Sequence, residues 1–303
     1  MPETVEENSN APANPLAGAR LAFIGCGVMA EAMIAGLLRQ QLVAAEQIVG
    51  SHPRAARRDE LYTKYATRMF EDNREAVLAA HPPDDADGAA RAGSLVILAV
   101  KPQRLGKVLH ELKGAIHADQ LVVSIVAGAR SDTIAGELGH PAVVRAMPNT
   151  PAQIGQGMTA WTATAEVSET QESQVSALFE ALGKAMRVEN ERQIDMATAL
   201  SATGPTYVFL VMEALVDAGV HLGFSRHVAQ DLVQQMMLGS VMFAMESHKH
   251  PAELRNMVTS PGGTSAEAIY QMEKGGLRTV FSKAVWAAYQ RAEALGKKKH
   301  DES

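Results

Sequence analysis

The chain has a single cysteine, Cys26, among 303 residues. An intrachain disulfide is impossible, and a cysteine-based zinc site is excluded by count. Such sparse thiol use fits a reducing compartment, so a cytoplasmic location is expected. The net charge is −6, which gives no electrostatic basis for nucleic-acid binding. No run of about 20 uninterrupted apolar residues occurs, so no membrane span is expected. The ten histidines show no H-E-x-x-H or similar spacing, and no metal is expected. His248 and His250, flanking Lys249, read as a solvated helix end. With no G-x-S-x-G elbow, a serine hydrolase is disfavoured, and the sole thiol lies in a glycine turn. Residues 1–17 are acidic and Pro-, Ala- and Asn-rich without an apolar core. They read as an unstructured tail rather than a secretory signal.

Apolar residues make up 47% of the chain and charged residues 20%, enough to fill a sizeable core. The length suggests two domains. In residues 18–190, apolar β-rich runs alternate with helical patterns. The runs are 20–25, 47–51, 94–101, 120–126, 142–147 and 157–162. The stretches Leu95–Val100 and Leu121–Val126 are almost continuously apolar, as strands buried on both faces must be. The alternation predicts a doubly wound α/β sheet.

From about Glu191 to residue 298 the strand signal stops, and 299–303 reads as a charged tail. Helices are predicted over 193–222, 225–248, 264–274 and 276–295. Gly204-Pro205 should break or kink the first, and Ser225 caps the second. Met212, Met236, Met237, Met242 and Met245 form apolar stripes in this half. Such stripes are expected to be core. The alternative is burial against a second subunit, since about 110 helical residues cover several long apolar faces poorly. Residues 80–93, acidic and turn-rich, read as a surface loop.

The strongest local signal is the strand Leu21–Ile24, then Gly25-Cys26-Gly27-Val28-Met29-Ala30, then a helical pattern. This is G-x-G-x-x-A in dinucleotide-binding context. Gly25 allows the tight turn, Gly27 lets backbone approach a pyrophosphate, and Ala30 allows close helix–strand packing. The amides of the helix start, around Val28 and Met29, favour an anion. At the end of the second strand, Ser51-His52-Pro53-Arg54, followed by Arg57 and Arg58, stands where an NAD enzyme would carry an acid. A hydroxyl and cations suit a 2′-phosphate, so NADPH is expected, with NADH possible.

Six pieces together resemble the pyrroline-5-carboxylate reductase family. They are GCGVMAEAM (Gly25–Met33), DN (Asp72-Asn73), AVKPQ (Ala99–Gln103), VSIVAG (Val123–Gly128), MPNTPA (Met147–Ala152) and VTSPGGTSAEAI (Val258–Ile269). They occur in the family's order and extend the likeness over residues 21–295. The resemblance implies an N-terminal Rossmann-type domain followed by an all-helical dimerisation domain. It also implies hydride transfer from the nicotinamide to a small cyclic imine carboxylate, giving L-proline, the last step of proline biosynthesis. The expected partners are that substrate and further copies of the chain, with no nucleic acid or membrane.

By the same resemblance, Ser260, Gly262, Gly263, Thr264 and Ser265 would bind the substrate carboxylate. Bottom-up, a Pro-Gly-Gly turn before a helix exposes backbone amides to an anion, although a capped helix start with no ligand fits equally well. Ala99, Val100, Lys101 and Pro102 end a buried strand where α/β folds place ligands, and should border the ribose and nicotinamide. Lys101 is either a catalytic acid or a cofactor-orienting or structural charge, the latter favoured. Asn73 matches a cofactor-ribose contact, and Asn149 is a polar contact at the nicotinamide wall. Thr203 would supply a hydroxyl near the imine nitrogen. The segment Ser201–Tyr207 departs from the family's S-G-S-G-P-A-Y at Ala202, Thr203 and Thr206, and Ser265 replaces a usual threonine. These departures bear on the substrate more than on the fold. The alternatives are a β-hydroxyacid dehydrogenase and a non-catalytic nucleotide-binding relative. The first is disfavoured because 193–222 holds no lysine to act as general base.

Overall fold

The structure, a computed structural model, describes residues 14–81 and 93–297. Most of the expected loop 80–93 and the whole of 299–303 lie outside the described residues. The strands are β1 (Arg20–Ile24), β2 (Ile48–Ser51), β3 (Arg68–Phe70), β4 (Ser94–Leu98), β5 (Leu121–Ser124), β6 (Val143–Met147), β7 (Gly157–Ala163) and β8 (Gly183–Arg187). Between them run α1 (Val28–Arg39), α2 (Ala55–Tyr65), α3 (Asn73–Ala80), α4 (Pro102–Leu112), α5 (Ser131–Leu138) and α6 (Glu169–Glu180). The helices α7 (Glu191–Ala197), α8 (Gly204–His221), α9 (Arg226–Ser247), α10 (Pro251–Met257), α11 (Thr264–Lys274) and α12 (Leu277–Lys297) follow.

The eight strands form one sheet in the order β3-β2-β1-β4-β5-β6-β7-β8, parallel except where β6 meets β7. Side-chain alternation divides each strand between two cores. Leu21, Phe23, Leu95, Ile97 and Val123 face α1 and α6, meeting Met33, Leu37 and Phe179. Ala22, Ile24, Val96, Leu98 and Val122 face α3, α4 and α5, meeting Val77, Leu109 and Ile134. Both faces are covered, so the near-continuous apolar runs at β4 and β5 are explained. The chain turns back between β1 and β4, so the carboxyl ends of those strands open a crevice.

Several boundaries differ from expectation. The unstructured tail does not reach residue 17: Asn14 donates to the Leu42 carbonyl at 2.7 Å, and Leu16 is wholly buried. β3 and β8 escaped the sequence reading because one is three residues long and the other is a half-exposed edge strand. α10 was missed too; it is short, and His250 caps it by accepting from the Ala252 amide.

The chain divides into two compact units, residues up to Ala202 together with those from Arg291, and Thr203–Gln290. The first unit retains α7, beyond the expected boundary at 190/191. Buried ion pairs hold it: Arg145 on β6 reaches Asp195 at 2.6 Å and Glu191 at 3.3 Å. Glu191 also accepts from the Ser131 amide at the start of α5. α12 returns to this unit at its end, where Leu295 and Gly296 pack against the turn at Gly128.

Gly204-Pro205 does not end the helical run. A π turn, Thr198–Ala202, carries it from α7 towards α8, and Pro205 sits in the first turn of α8, where its missing N–H costs nothing. The run Glu191–His221 is long and apolar enough to cross a membrane by length and composition alone, and little of it is buried. Its exposure is part of a wider pattern. In the helical unit, Gly219 lets α8 and α9 approach, with Val216 and Ala229 buried between them. Elsewhere the apolar faces are open: Phe209, Leu210, Leu232, Leu238, Phe243 and Trp286 are all exposed. The methionine stripes are therefore not the core of one chain, as Met236, Met242 and Met245 are about half exposed. The alternative reading, burial against another copy, accounts for them.

Candidate active site

The turn from β1 into α1 is built for close backbone approach. Gly25 has φ +87, and a Cβ there would lie 2.5 Å from the Val100 side chain and 3.1 Å from its Cα. The turn is pinned to β2: the amides of Gly25 and Cys26 donate to the Ser51 carbonyl at 3.2 and 3.0 Å. Gly27 differs: beyond its own chain neighbours, nothing among the described residues lies within 4 Å of a Cβ built on it. It is the N-cap of α1 with no side-chain cap, and the first full helical bond runs from Glu31 N to Gly27 O. The amides of Val28, Met29 and Ala30 thus precede the helical ladder. Ala30 is fully buried, as close helix–strand packing requires.

Beside this turn, an open cleft of about 290 Å³ lies over the carboxyl ends of β1, β4, β5 and β6. Met29, Ala99, Val100, Ile125, Met147 and Pro148 line most of it. The fingerprint, the AVKP segment and the MPNT segment, far apart in sequence, are brought to one place. Lys101, which follows the lining residue Val100, is exposed as the N-cap of α4, and Pro102 opens that helix.

Two asparagines expected as direct contacts have protein partners. Asn149 accepts from the Met158 amide at 2.9 Å and donates to the Ser201 hydroxyl at 3.3 Å. It ties the MPNT loop to the π turn before α8. Asn73 accepts from the Ser51 hydroxyl and donates to Glu111, each at 2.7 Å. Ser51 Oγ in turn accepts weakly from the Gly25 amide at 3.4 Å. Glu111, which sequence reasoning missed, therefore orients Asn73 and through it the wall of the glycine turn. No local signal reveals it, since 38 residues separate the partners.

The three arginines after β2 are not equivalent. Arg57 is bound to Glu31 at 2.5 Å and Glu60 at 2.8 Å, and its Nε donates to the Cys26 carbonyl. Arg58 is held by Glu71 and the His52 carbonyl. Neither is a free cation, which corrects that part of the expectation. Arg54, exposed at the N-cap of α2, makes no ion pair among the described residues. Burial opposes charge on Glu31, but bonds from Lys64, Arg57 and Tyr65 outweigh it and bring its carboxyl to about 2. Burial pushes the Cys26 thiol up to about 12, which favours its protonated form. Burial likewise lowers His52, whose Nδ1 accepts from the Arg54 amide.

In the helical unit, Gly262 has φ +69 and Gly263 is the N-cap of α11 without a side-chain cap. A Cβ on Gly263 would meet Ser260 Oγ at 2.5 Å. Gly263 N donates to Ser260 O, and the first bonds into the helix come from Ala266 and Glu267. The Thr264 and Ser265 amides precede them, so this start is not closed by its own serine or threonine. Thr203 is the N-cap of α8 and its carbonyl accepts from Thr206.

An open glycine turn on a doubly wound sheet, with a cleft at the strand ends, defines a dinucleotide-binding protein of the Rossmann class. A family model described as NADP oxidoreductase, coenzyme F420-dependent, matches residues 20–128. One described as pyrroline-5-carboxylate reductase dimerisation matches residues 191–295. A pyrroline-5-carboxylate reductase of Synechocystis is 41% identical over 279 residues, 92% of this chain and 99% of the relative. The solved structure of such an enzyme from Coxiella burnetii aligns with a TM-score of 0.80 at 35% identity, over 92% and 98% of the two chains. That from Plasmodium falciparum, with NADP bound, aligns with a TM-score of 0.80 at 29% identity and the same coverage. The chain belongs to the pyrroline-5-carboxylate reductase family. Its helical region matches the family's dimerisation domain over residues 191–295.

Proposed function

We propose that the protein reduces 1-pyrroline-5-carboxylate to L-proline with NADPH, in the cytoplasm, as a homo-oligomer of dimers or larger rings. The single observation that carries this reading is the space left open at Gly27, beside an apolar cleft at the switch between β1 and β4. The residues present fit a dinucleotide: a Cβ at Gly27 would fill the place where a pyrophosphate meets the helix start. When bound, the cofactor supplies a hydride from C4 of its nicotinamide.

The chain's own residues bind and orient. The amides at Val28 and Met29 hold the pyrophosphate. Arg54, with Ser51 and His52 beside it, favours a 2′-phosphate over a free hydroxyl. Asn73 borders the ribose, fixed by Ser51 and Glu111. Ala99 and Val100 form one apolar wall for the nicotinamide, and Met147 and Pro148 the other. The uncapped start of α11 takes the substrate carboxylate on the Thr264 and Ser265 amides, with Ser260 and the Ser265 hydroxyl alongside. Gly262 and Gly263 shape the turn that frees those amides. Thr203 holds the imine nitrogen, and a protonated imine is a ready hydride acceptor. Lys101 orients the cofactor and is not required as an acid. Positioning supplies most of the rate and electrostatics the rest. Mixing the protein with NADPH and pyrroline-5-carboxylate and following loss of reduced-nicotinamide absorbance tests the reading. Oxidation of a hydroxyacid by NADP⁺ without turnover of pyrroline-5-carboxylate, or cofactor binding without turnover, would replace it.

A further inference from the structure

A second cluster of chemistry-bearing residues lies at the opposite, amino-terminal edge of the sheet. His81 closes α3, and His117 and Asp119 occupy the turn that leads into β5. Their donor atoms all lie within 4.8 Å of one another. His81 Nε2 is 3.3 Å and His117 Nδ1 2.6 Å from the same oxygen of Asp119. The two rings are in contact, with centroids 4.1 Å apart. We propose that His81, His117 and Asp119 form a binding site for a borderline divalent cation such as Zn²⁺, separate from the reductase site.

Three features favour a cation over a simple hydrogen-bonded staple. The donor set is two imidazoles and one carboxylate, which suits first-row divalent metals and leaves room for water. The spacing is close to what coordination needs: ligands about 2.1 Å from a tetrahedral metal lie roughly 3.3 Å from one another. The His81–Asp119 distance already meets this. The His117–Asp119 distance must open by roughly 0.7 Å, which is easy because both side chains are about half exposed. The third feature is an orphan. His81 Nε2 is buried and, although 3.3 Å from Asp119, makes no well-aligned hydrogen bond. A buried imidazole nitrogen without a partner is costly, and a metal would satisfy it.

A bound cation would clasp the end of α3 to the turn before β5, bracing strand entrances on the edge away from the cofactor cleft.

The test uses the full-length, tag-free protein after chelator treatment, titrated calorimetrically with Zn²⁺ and, in parallel, with Co²⁺ to read ligand-field absorption. One equivalent per subunit is expected. His117→Ala, at an exposed position, and the double variant His81→Ala/His117→Ala should each weaken binding about tenfold or more. His248→Ala/His250→Ala should leave it intact, and NADPH affinity, which also reports folding, should not change in any of them. Absence of stoichiometric binding, equal affinity in the His81/His117 variants, or loss of binding in the His248/His250 control would each overturn the proposal.

Discussion

Replacing Gly27 by alanine separates a structural turn from a phosphate site. At Gly27 φ is −81, which alanine adopts without strain, and a Cβ meets nothing within 4 Å. The folded protein should therefore lose no stability, and restricting the unfolded chain could add about 0.4–1 kcal/mol. The cofactor, by contrast, would meet that methyl group where its pyrophosphate approaches the helix start. Losing even one charge-assisted amide bond to phosphate costs about 1.5–3 kcal/mol. Each 1.4 kcal/mol is about tenfold in affinity, so the KM for NADPH should rise roughly 10- to 100-fold. Gly25→Ala is the control with the opposite signature. It forces φ +87 on a residue with a Cβ and drives that Cβ to 3.1 Å from the Val100 backbone. The left-handed conformation alone costs about 1–2 kcal/mol, and the Val100 contact adds to it, so Tm should fall. Steady-state kinetics at varied NADPH, with thermal melts of the ligand-free proteins, read both. If Gly27→Ala kept the wild-type KM, no phosphate would approach there.

Four further outcomes are expected. Arg54→Ala should raise the KM for NADPH about tenfold while leaving that for NADH unchanged; a parallel change in both would remove Arg54 from the 2′-phosphate. Ser265→Ala should raise the KM for pyrroline-5-carboxylate on the order of tenfold, and an unchanged value would take its hydroxyl out of the site. Thr203→Val should lower kcat if the hydroxyl supports the imine nitrogen, whereas wild-type turnover rejects that role. Arg145→Ala leaves the carboxylates of Asp195 and Glu191 without their buried partner. Denaturant unfolding should then show a loss of about 3–5 kcal/mol, and a change within about 0.5 kcal/mol would mean that water replaces the guanidinium freely.

What the sequence revealed follows the range of the interactions involved. The strand–turn–helix at Leu21–Ala30 is a local pattern, and β1, Gly25, Gly27 and α1 fall where it puts them. Ser225 and the Pro-Gly-Gly turn likewise mark the starts of α9 and α11. Interactions that close over long separations left no such mark. Arg57 and Arg58 look like free cations in a string of residues, yet Glu31 and Glu71 neutralise them only once α1, α2 and the end of β3 converge. Glu111 on Asn73, and Arg145 with Asp195, belong to the same class. His81 and His117 share no motif and meet only because two crossovers end at one edge of the sheet. The methionine stripes failed for another reason: helical periodicity identifies an apolar face but not what covers it.

On the proposed reading, the Gly25–Gly27 turn seats the dinucleotide and the α11 start takes the substrate carboxylate. The most direct measurement is a crystal structure of the assembled protein with NADP⁺ and L-proline bound. The proline carboxylate should lie within hydrogen-bond distance of the Thr264 and Ser265 amides, and the nucleotide pyrophosphate should rest on the Val28 and Met29 amides. A proline bound elsewhere, or a nucleotide away from the Gly27 turn, would contradict the account.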